Sequence, residues 1–326
     1  MELILGRVKK SRKGIFFTLI AVSLLGLILF SYSVTYSYTL QEKSAVIESR
    51  VDSMNRFLQE VDTDMENAIY IAGFRALIGI EDEVANTGTF VTSTEDSFEE
   101  LFMDGTIDGQ NSSVMVNNTF PYWITRIGEE ANAVGINLSL NVTGVNISHV
   151  DPWTVRVWLI GDLNLSDLKS TASWNQQKEI YADISVLGFE DPSYAVYTSN
   201  NVVKRINTTV YEGNFTGVAT NTTNIRDHVS STMYANFTGA PSFLMRFENN
   251  LTNSTYGIES FVDKAEVSPY HACPTETSAI DSIYWQCDNG IQVWQVANWS
   301  GFRIDNETGM GNLTRIERYM LEDYVI

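Results

Sequence analysis

Ile15-Phe-Phe-Thr-Leu-Ile-Ala-Val-Ser-Leu-Leu-Gly-Leu-Ile-Leu-Phe30 opens an uncharged run that continues to residue 40. About 20 apolar residues in a helix cross a bilayer, so residues 15–40 predict a transmembrane helix. Its outer end is marked by Tyr32, Tyr36 and Tyr38, which suit an interface where the ring is buried and the hydroxyl is wet. Residues 1–14 carry Arg7, Lys9, Lys10, Arg12 and Lys13 against one acid, Glu2. A basic leader stays in the cytoplasm, which places everything after residue 40 on the outer side. A cleaved signal peptide is the competing reading, with Ser31-Tyr32-Ser33 as its cut site, although such peptides have shorter apolar cores.

The same helical pattern runs on. Ile47, Val51, Met54, Leu58, Val61, Met65, Ala68 and Ala72 recur in alternating steps of four and three, an apolar seam more than three heptads long. No Pro or Gly interrupts residues 41–72; Gly73 is the first. The sequence therefore predicts one rod from residue 15 to about 80, on the order of 100 Å long at 1.5 Å per residue. The seam has two partners open to it: another chain, or this chain's own head.

Composition places the outer part. The chain has 21 basic and 40 acidic residues, a net charge of −19. Without residues 1–14 the balance is 16 against 39, or −23, which repels nucleic acid and excludes it as a partner. The chain has 26 Asn and 58 Ser plus Thr, so random placement predicts about five N-x-[ST] triplets. There are 15, at Asn111, Asn117, Asn137, Asn141, Asn146, Asn164, Asn207, Asn214, Asn221, Asn236, Asn250, Asn253, Asn298, Asn306 and Asn312. None precedes residue 111, an excess expected of an exported, N-glycosylated region. Cys273 and Cys287, the only cysteines, lie on the oxidising side of this topology and are expected to form a disulfide, which stabilises by roughly 3 kcal/mol for a loop this short.

Residues 81–118 read as a connector rich in Thr, Gly, Ser and acids, with a short helix over 97–103 and acidic turns over 104–109. A head follows over 119–326, as one domain or two dividing near residue 200. Thr119-Phe-Pro121 is a helix start, with Trp123, Ile124, Ile127, Ala131 and Val134 as its apolar face. Alternating patterns then predict strands around residues 138–142, 154–165 and 179–189, and shorter ones at 202–211 and 290–296. Helical turns are expected at 242–247 and 312–321. One helix followed by strands gives an α+β fold: a long membrane-plus-amphipathic helix carrying a β-rich head with an antiparallel sheet.

Lys13-Gly14 directly before Ile15-Phe-Phe-Thr-Leu-Ile20, followed by an uncharged helix and an amphipathic continuation, resembles type IV pilin precursors. The archaeal members with class III signal peptides are the most similar, because Leu19 stands at the fifth position after the junction, where bacterial members usually carry glutamate. The resemblance covers about 65 residues. It implies a prepilin-type peptidase that cuts after Gly14, leaving Ile15 as the mature N-terminus and Lys13 in the leader. It also implies assembly with copies of itself or other pilin-like subunits through residues 15–72, and a glycosylated β-rich head. The head is larger than in most major pilins, which points to a minor or tip subunit. Without cleavage, the same chain is a permanently anchored surface glycoprotein or adhesin.

Catalytic and cofactor motifs are not found. His149, His228 and His271 stand in no His-Glu-x-x-His pattern, and no Gly-x-Ser-x-Gly or Walker sequence occurs, so neither a catalytic set, a cofactor nor a metal is expected. An anchored ectoenzyme, with a triad assembled only in space, is the third reading. Trp123, Trp153, Trp158, Trp174, Trp285, Trp294 and Trp299 all fall in the head, as core rings or as exposed platforms.

Overall fold

One helix organises the chain. The computed structural model describes residues 12–217, 222–287, 290–309 and 312–326, as backbone only at residues 12–15, 39, 40 and 42. Helix α1 spans Arg12–Thr87 without a break, about 110 Å at 1.5 Å per residue. Its first half is exposed on all sides, and its second half is docked. The seam meets its partner at Met54, and Leu58, Val61, Met65, Ala68 and Ala72 are buried after it. Val51 is half-buried and Ile47 is exposed, because the head ends at that level. Of the two partners open to the seam, the structure places the chain's own head against it.

Helix α2 (Thr94–Asp104) is capped by the Ser93 side chain, which accepts the Asp96 N–H, and ends at Gly105 in the left-handed region. It buries Phe98, Leu101 and Phe102 in the same core as α1. A small hairpin of β1 (Thr106–Ile107) and β2 (Gln110–Asn111) follows. The Glu100 carboxylate holds its turn by accepting from Thr106, Asp108 and Gly109, and the Thr106 bond foremost lowers its pKa. Helix α3 (Phe120–Ala133) begins as its sequence predicts, with Thr119 accepting the Tyr122 N–H and Pro121 in the first turn. Its Ala131 is buried and Trp123, Ile124 and Ile127 pack on the core, whereas Val134 is exposed past the helix end.

The sheet is antiparallel, in the order β3 (Ile136–Asp151), β4 (Thr154–Asp167), β5 (Ser173–Ser185). The third strand begins six residues before its apolar alternation does. Trp174, Gln176 and Lys178 line its inner face there, and the Lys178 ammonium meets Asp62 of α1 at 2.8 Å. Polar side chains on a core-facing row hide a strand from a hydrophobicity pattern.

Contacts down the helix fix its direction relative to the strands. Arg50 bonds Asp167 and the carbonyls of Val134 and Gly135, clamping the near end of the sheet. Lys178 pairs with Asp62 midway. At Gly73 an added Cβ would lie 3.0 Å from both Ile184 and Val157, so glycine lets helix and sheet touch. Glu81 accepts the Glu190 N–H at 2.5 Å beyond the strand ends. The strands therefore run alongside α1, and residues from about 190 onward form a cap at its far end.

The cap is mostly irregular. It contains α4 (Pro192–Tyr197), α5 (Thr223–Ser230), β6 (Ala235–Asn236), the single turn α6 (Phe243–Arg246), β7 (Ile258–Glu259), α7 (Lys264–Val267), α8 (Asp281–Tyr284), β8 (Val293–Gln295), β9 (Arg303–Asp305) and α9 (Arg315–Arg318). The strand expected over 202–211 is reduced to isolated bridges, Arg205 with Glu190 and Thr208 with Tyr234. The last helix is one turn with a reciprocal Thr314–Glu317 capping box.

Two fully buried arginines join these pieces. Arg246 binds Asp191 at 2.7 Å, Asp281 at 3.0 Å and the Ile258 carbonyl. Arg315 binds Glu259 at 2.8 Å, Asp305 at 2.6 Å and the Gly239 carbonyl. Tyr234 and Ser260 donate to the same Asp191 and Asp281 oxygens that Arg246 holds, and Ser278 and Tyr319 donate to the other oxygens of Asp305 and Glu259. Burial raises the pKa of Asp281 and Glu259 despite their arginine partners. Breaking such a pair leaves an uncompensated buried charge. Arg246→Ala is expected to lower stability by about 3–5 kcal/mol in denaturant unfolding of the full chain in detergent.

Candidate functional site

The largest unpartnered apolar surface is α1 between Phe16 and Tyr38. Phe16, Phe17, Leu19, Leu25, Leu27 and Phe30 are all more than half exposed. The stretch is long and apolar enough to cross a membrane. Two of its hydroxyls are satisfied within the helix: Thr35 donates to the Ser31 carbonyl at 2.8 Å and Ser37 to that of Ser33 at 2.9 Å. Such back-bonding lets Ser and Thr sit in apolar surroundings without a lost hydrogen bond. Tyr32 and Tyr36 stack one turn apart. Of the processing junction, Lys13, Gly14 and Ile15 lie in the first helical turn, with their side chains outside the described residues, as are residues 1–11.

Every described sequon asparagine is exposed; Asn221 lies outside the described residues. Asn137, Asn141 and Asn146 of β3 pair with Ser166, Asp162 and Trp158 of β4, and Asn164 pairs with Ser139. All four stand on the sheet face turned away from α1. The edge strand β5 and the docked half of α1 carry no sequon. Asn117, Asn298 and Asn312 occupy left-handed backbone positions, where asparagine is tolerated. Asn250 accepts from both the backbone and hydroxyl of Thr252, so local turn chemistry and the sequon coincide there.

Cys273 and Cys287 are joined, with sulfurs 2.03 Å apart. His271 comes within 3.5 Å of the Cys287 sulfur. The three side chains are close enough to hold a metal, but both sulfurs are engaged in the disulfide, and the set has no fourth ligand among the described residues. The other histidines are elsewhere. His149 joins sheet to cap, its Nε2 accepting the Leu244 N–H. His228 is wholly buried among Phe215, Phe261 and Tyr319, and burial lowers its pKa to about 4. The three thus belong to three separate surroundings and form no common site. Among the tryptophans, Trp285 is fully buried between Tyr194 and Tyr197, and the other six are half-buried.

Two clefts escaped the sequence. One, of about 450 Å³, lies where α1 meets the cap, with Phe74 and Phe189 at its apolar end and Glu81, Asp82, Glu190 and Arg205 at its polar end. Burial raises the Glu81 pKa to about 8, and the nearby Glu190 and Asp82 charges add to the rise. The available signal was an acid beside Leu77, Ile80 and Val84, on the buried side of the helix. The other, of about 290 Å³, lies in the cap and is lined by Arg226, Lys264 and Trp299 from separate segments, so no local motif announces it.

Comparison with protein-family models, curated proteins and solved structures finds no match to this chain. Its functional reading therefore rests on its own residues.

Glu81 gives a pH dependence of definite sign. Between about pH 4.5 and 8 its carboxyl is protonated in the folded chain and ionised in the unfolded one. The folded state binds more protons there, so this group's contribution is full in acid and is lost as pH rises through 8. Glu81→Gln removes the effect. In paired urea titrations the variant is expected to gain on the order of 4 kcal/mol over wild type between pH 4.5 and 8.5.

Proposed function

We propose that this chain is a pilin-like cell-surface protein, a non-catalytic structural and interaction subunit of a type IV pilus-like filament, in a minor or tip position. One observation carries the reading: a single unbroken helix, Arg12–Thr87, is apolar and bare in its first half and docked on an antiparallel sheet in its second. A helix built this way sits in a bilayer through its first half while its second half carries a folded head outside. The basic leader sets the N-terminus in the cytoplasm. A prepilin-type peptidase acting between Gly14 and Ile15 then frees residues 15–40 for assembly with similar subunits.

Exposure of every described sequon asparagine supports an exported, glycosylated head, since a buried acceptor cannot carry a glycan. The Cys273–Cys287 bridge suits the same oxidising compartment. The head's size favours a tip or minor subunit over a repeating one. With an uncut leader the same architecture is a permanently anchored glycoprotein or adhesin, and the N-terminus separates the two.

Peptide mass spectrometry of the native protein is expected to find a mature chain that begins at Ile15, with glycan on several of the sequons after residue 111. Retention of Met1 or of the basic leader contradicts the pilin-like reading and leaves the anchored one.

A further inference from the structure

Acids outnumber bases sixteen to eight in residues 190–326. Cations are scarce there, and six of the eight are ion-paired. Lys204 meets Glu266, Arg205 meets Glu190, Arg303 meets Glu276 and Arg318 meets Glu212, while Arg246 and Arg315 hold the buried network. The remaining two, Arg226 and Lys264, have no ion pair among the described residues, and both line the same cleft of about 290 Å³. In so acidic a cap, two cations without a direct ion pair at one concavity, with Asp263 the one acid in its wall, need a reason.

Arg226 is held in place by neutral groups alone. Its Nε donates to the Thr222 hydroxyl at 3.2 Å and one Nη2 hydrogen to the Asn298 carbonyl at 2.8 Å. Its guanidinium lies 4.4 Å over the Trp299 ring, and Phe302 stacks on that ring at 3.8 Å. Two groups so near one ring take its opposite faces, so the indole is sandwiched and the arginine plane is fixed. A guanidinium has five donor hydrogens, and three remain for a ligand. Lys264 donates one hydrogen to the Thr277 carbonyl at 2.5 Å and keeps two. Burial lowers its pKa to about 8, the nearby Arg303 charge adds to the fall, and Glu276 opposes it.

The other walls carry polar, uncharged groups and one carboxylate. Asp263 uses one carboxylate oxygen to cap Ala265 and keeps the other. Ser230, whose hydroxyl donates to the Asp227 carbonyl at 3.2 Å and so offers a ligand only an acceptor, and Ser300 add hydroxyl groups, and Gly301 leaves open space at the lip. The volume lies at the lower end for small-ligand sites, ~300 Å³, enough for one ring. The sequon Asn298-Trp299-Ser300 supplies two of the lining residues, so a glycan on Asn298 would start at the rim.

We infer that this cleft binds a carboxylate-bearing sugar, a uronic acid residue, whose carboxylate is taken by Arg226 and Lys264 and whose hydroxyls are taken by Asp263, Ser230 and Ser300. A bare carboxylate on a peptide would use the cations and leave the hydroxyl-binding wall empty. Two sources present the same chemistry: the chain's own N-glycan at Asn298, and a saccharide from outside. The inference is independent of how the N-terminal helix is processed.

The test is titration of the full chain in detergent micelles, produced without glycans, with glucuronic acid, glucose and N-acetylaspartate, followed by ligand-observed NMR. Glucuronate is expected to bind at least about tenfold more tightly than either of the others, with an affinity that falls as salt rises. Arg226→Gln is expected to cost about tenfold in glucuronate affinity, and Arg226→Lys less, with thermal melts confirming the fold. Lys264→Gln carries the same expectation through a different segment, should Arg226→Gln not fold. Equal affinity for glucose and glucuronate, equal affinity for N-acetylaspartate, or folded variants that bind as wild type each overturn the assignment. The source is read from glycosylated protein. If wild type refuses glucuronate and Asn298→Gln accepts it, the occupant is the chain's own glycan; if both accept it, the sugar comes from outside.

Discussion

The docking of the α1 seam under its own three-stranded sheet is the contact on which the rest of the molecule depends. Met54, Leu58, Val61, Met65, Ala68 and Ala72 form one buried row, and Val155, Val157, Leu159 and Ile184 of the sheet belong to the same core. In proteins an amphipathic helix takes most of its stability from tertiary packing of its apolar face. Covering the seam makes the far half of α1 rigid. Gly73 permits the close approach, with Ile184 and Val157 at the distance where a side chain would stand. The near half is apolar and bare, and is long and apolar enough to cross a membrane.

The cap follows a different physical rule. Its strands and helices are too short to form layers, and its apolar residues are divided between the main core, which takes Ile206, Tyr234, Phe243, Phe247 and Ile258, and two further clusters. Arg246 and Arg315 tie together segments far apart in sequence, each through two carboxylates and a backbone carbonyl. Buried ion pairs add little net stability over an apolar core, but removing one partner is strongly unfavourable, so they specify which loops meet. The disulfide closes one of those loops beside Trp285 and Tyr284.

What could be read from the sequence was what is periodic. The seam from Met54 onward, the Thr119 cap and the β3–β4 alternation are local patterns, and each appears in the fold. Ile47 has the right spacing but no partner, because a pattern does not say where the head ends. The first half of β5 was hidden because Lys178 faces inward to meet Asp62, a pairing between residues 116 positions apart. The expected strand over 202–211 has the residue types of a strand, yet it meets only single bridges in the cap. Arg226, Lys264 and Trp299 lie on separate segments brought together by the cap's tertiary packing. Nothing at any of those positions taken alone distinguishes a cleft from a solvated surface.

Hydrogen–deuterium exchange along α1, in the full chain in a lipid nanodisc, tests the central contact most directly. The account predicts that amides over residues 54–84 exchange only through global unfolding, with residues 43–49 exchanging much faster because nothing covers that segment. Equal, rapid exchange across 43–84 would contradict a helix held by its own sheet.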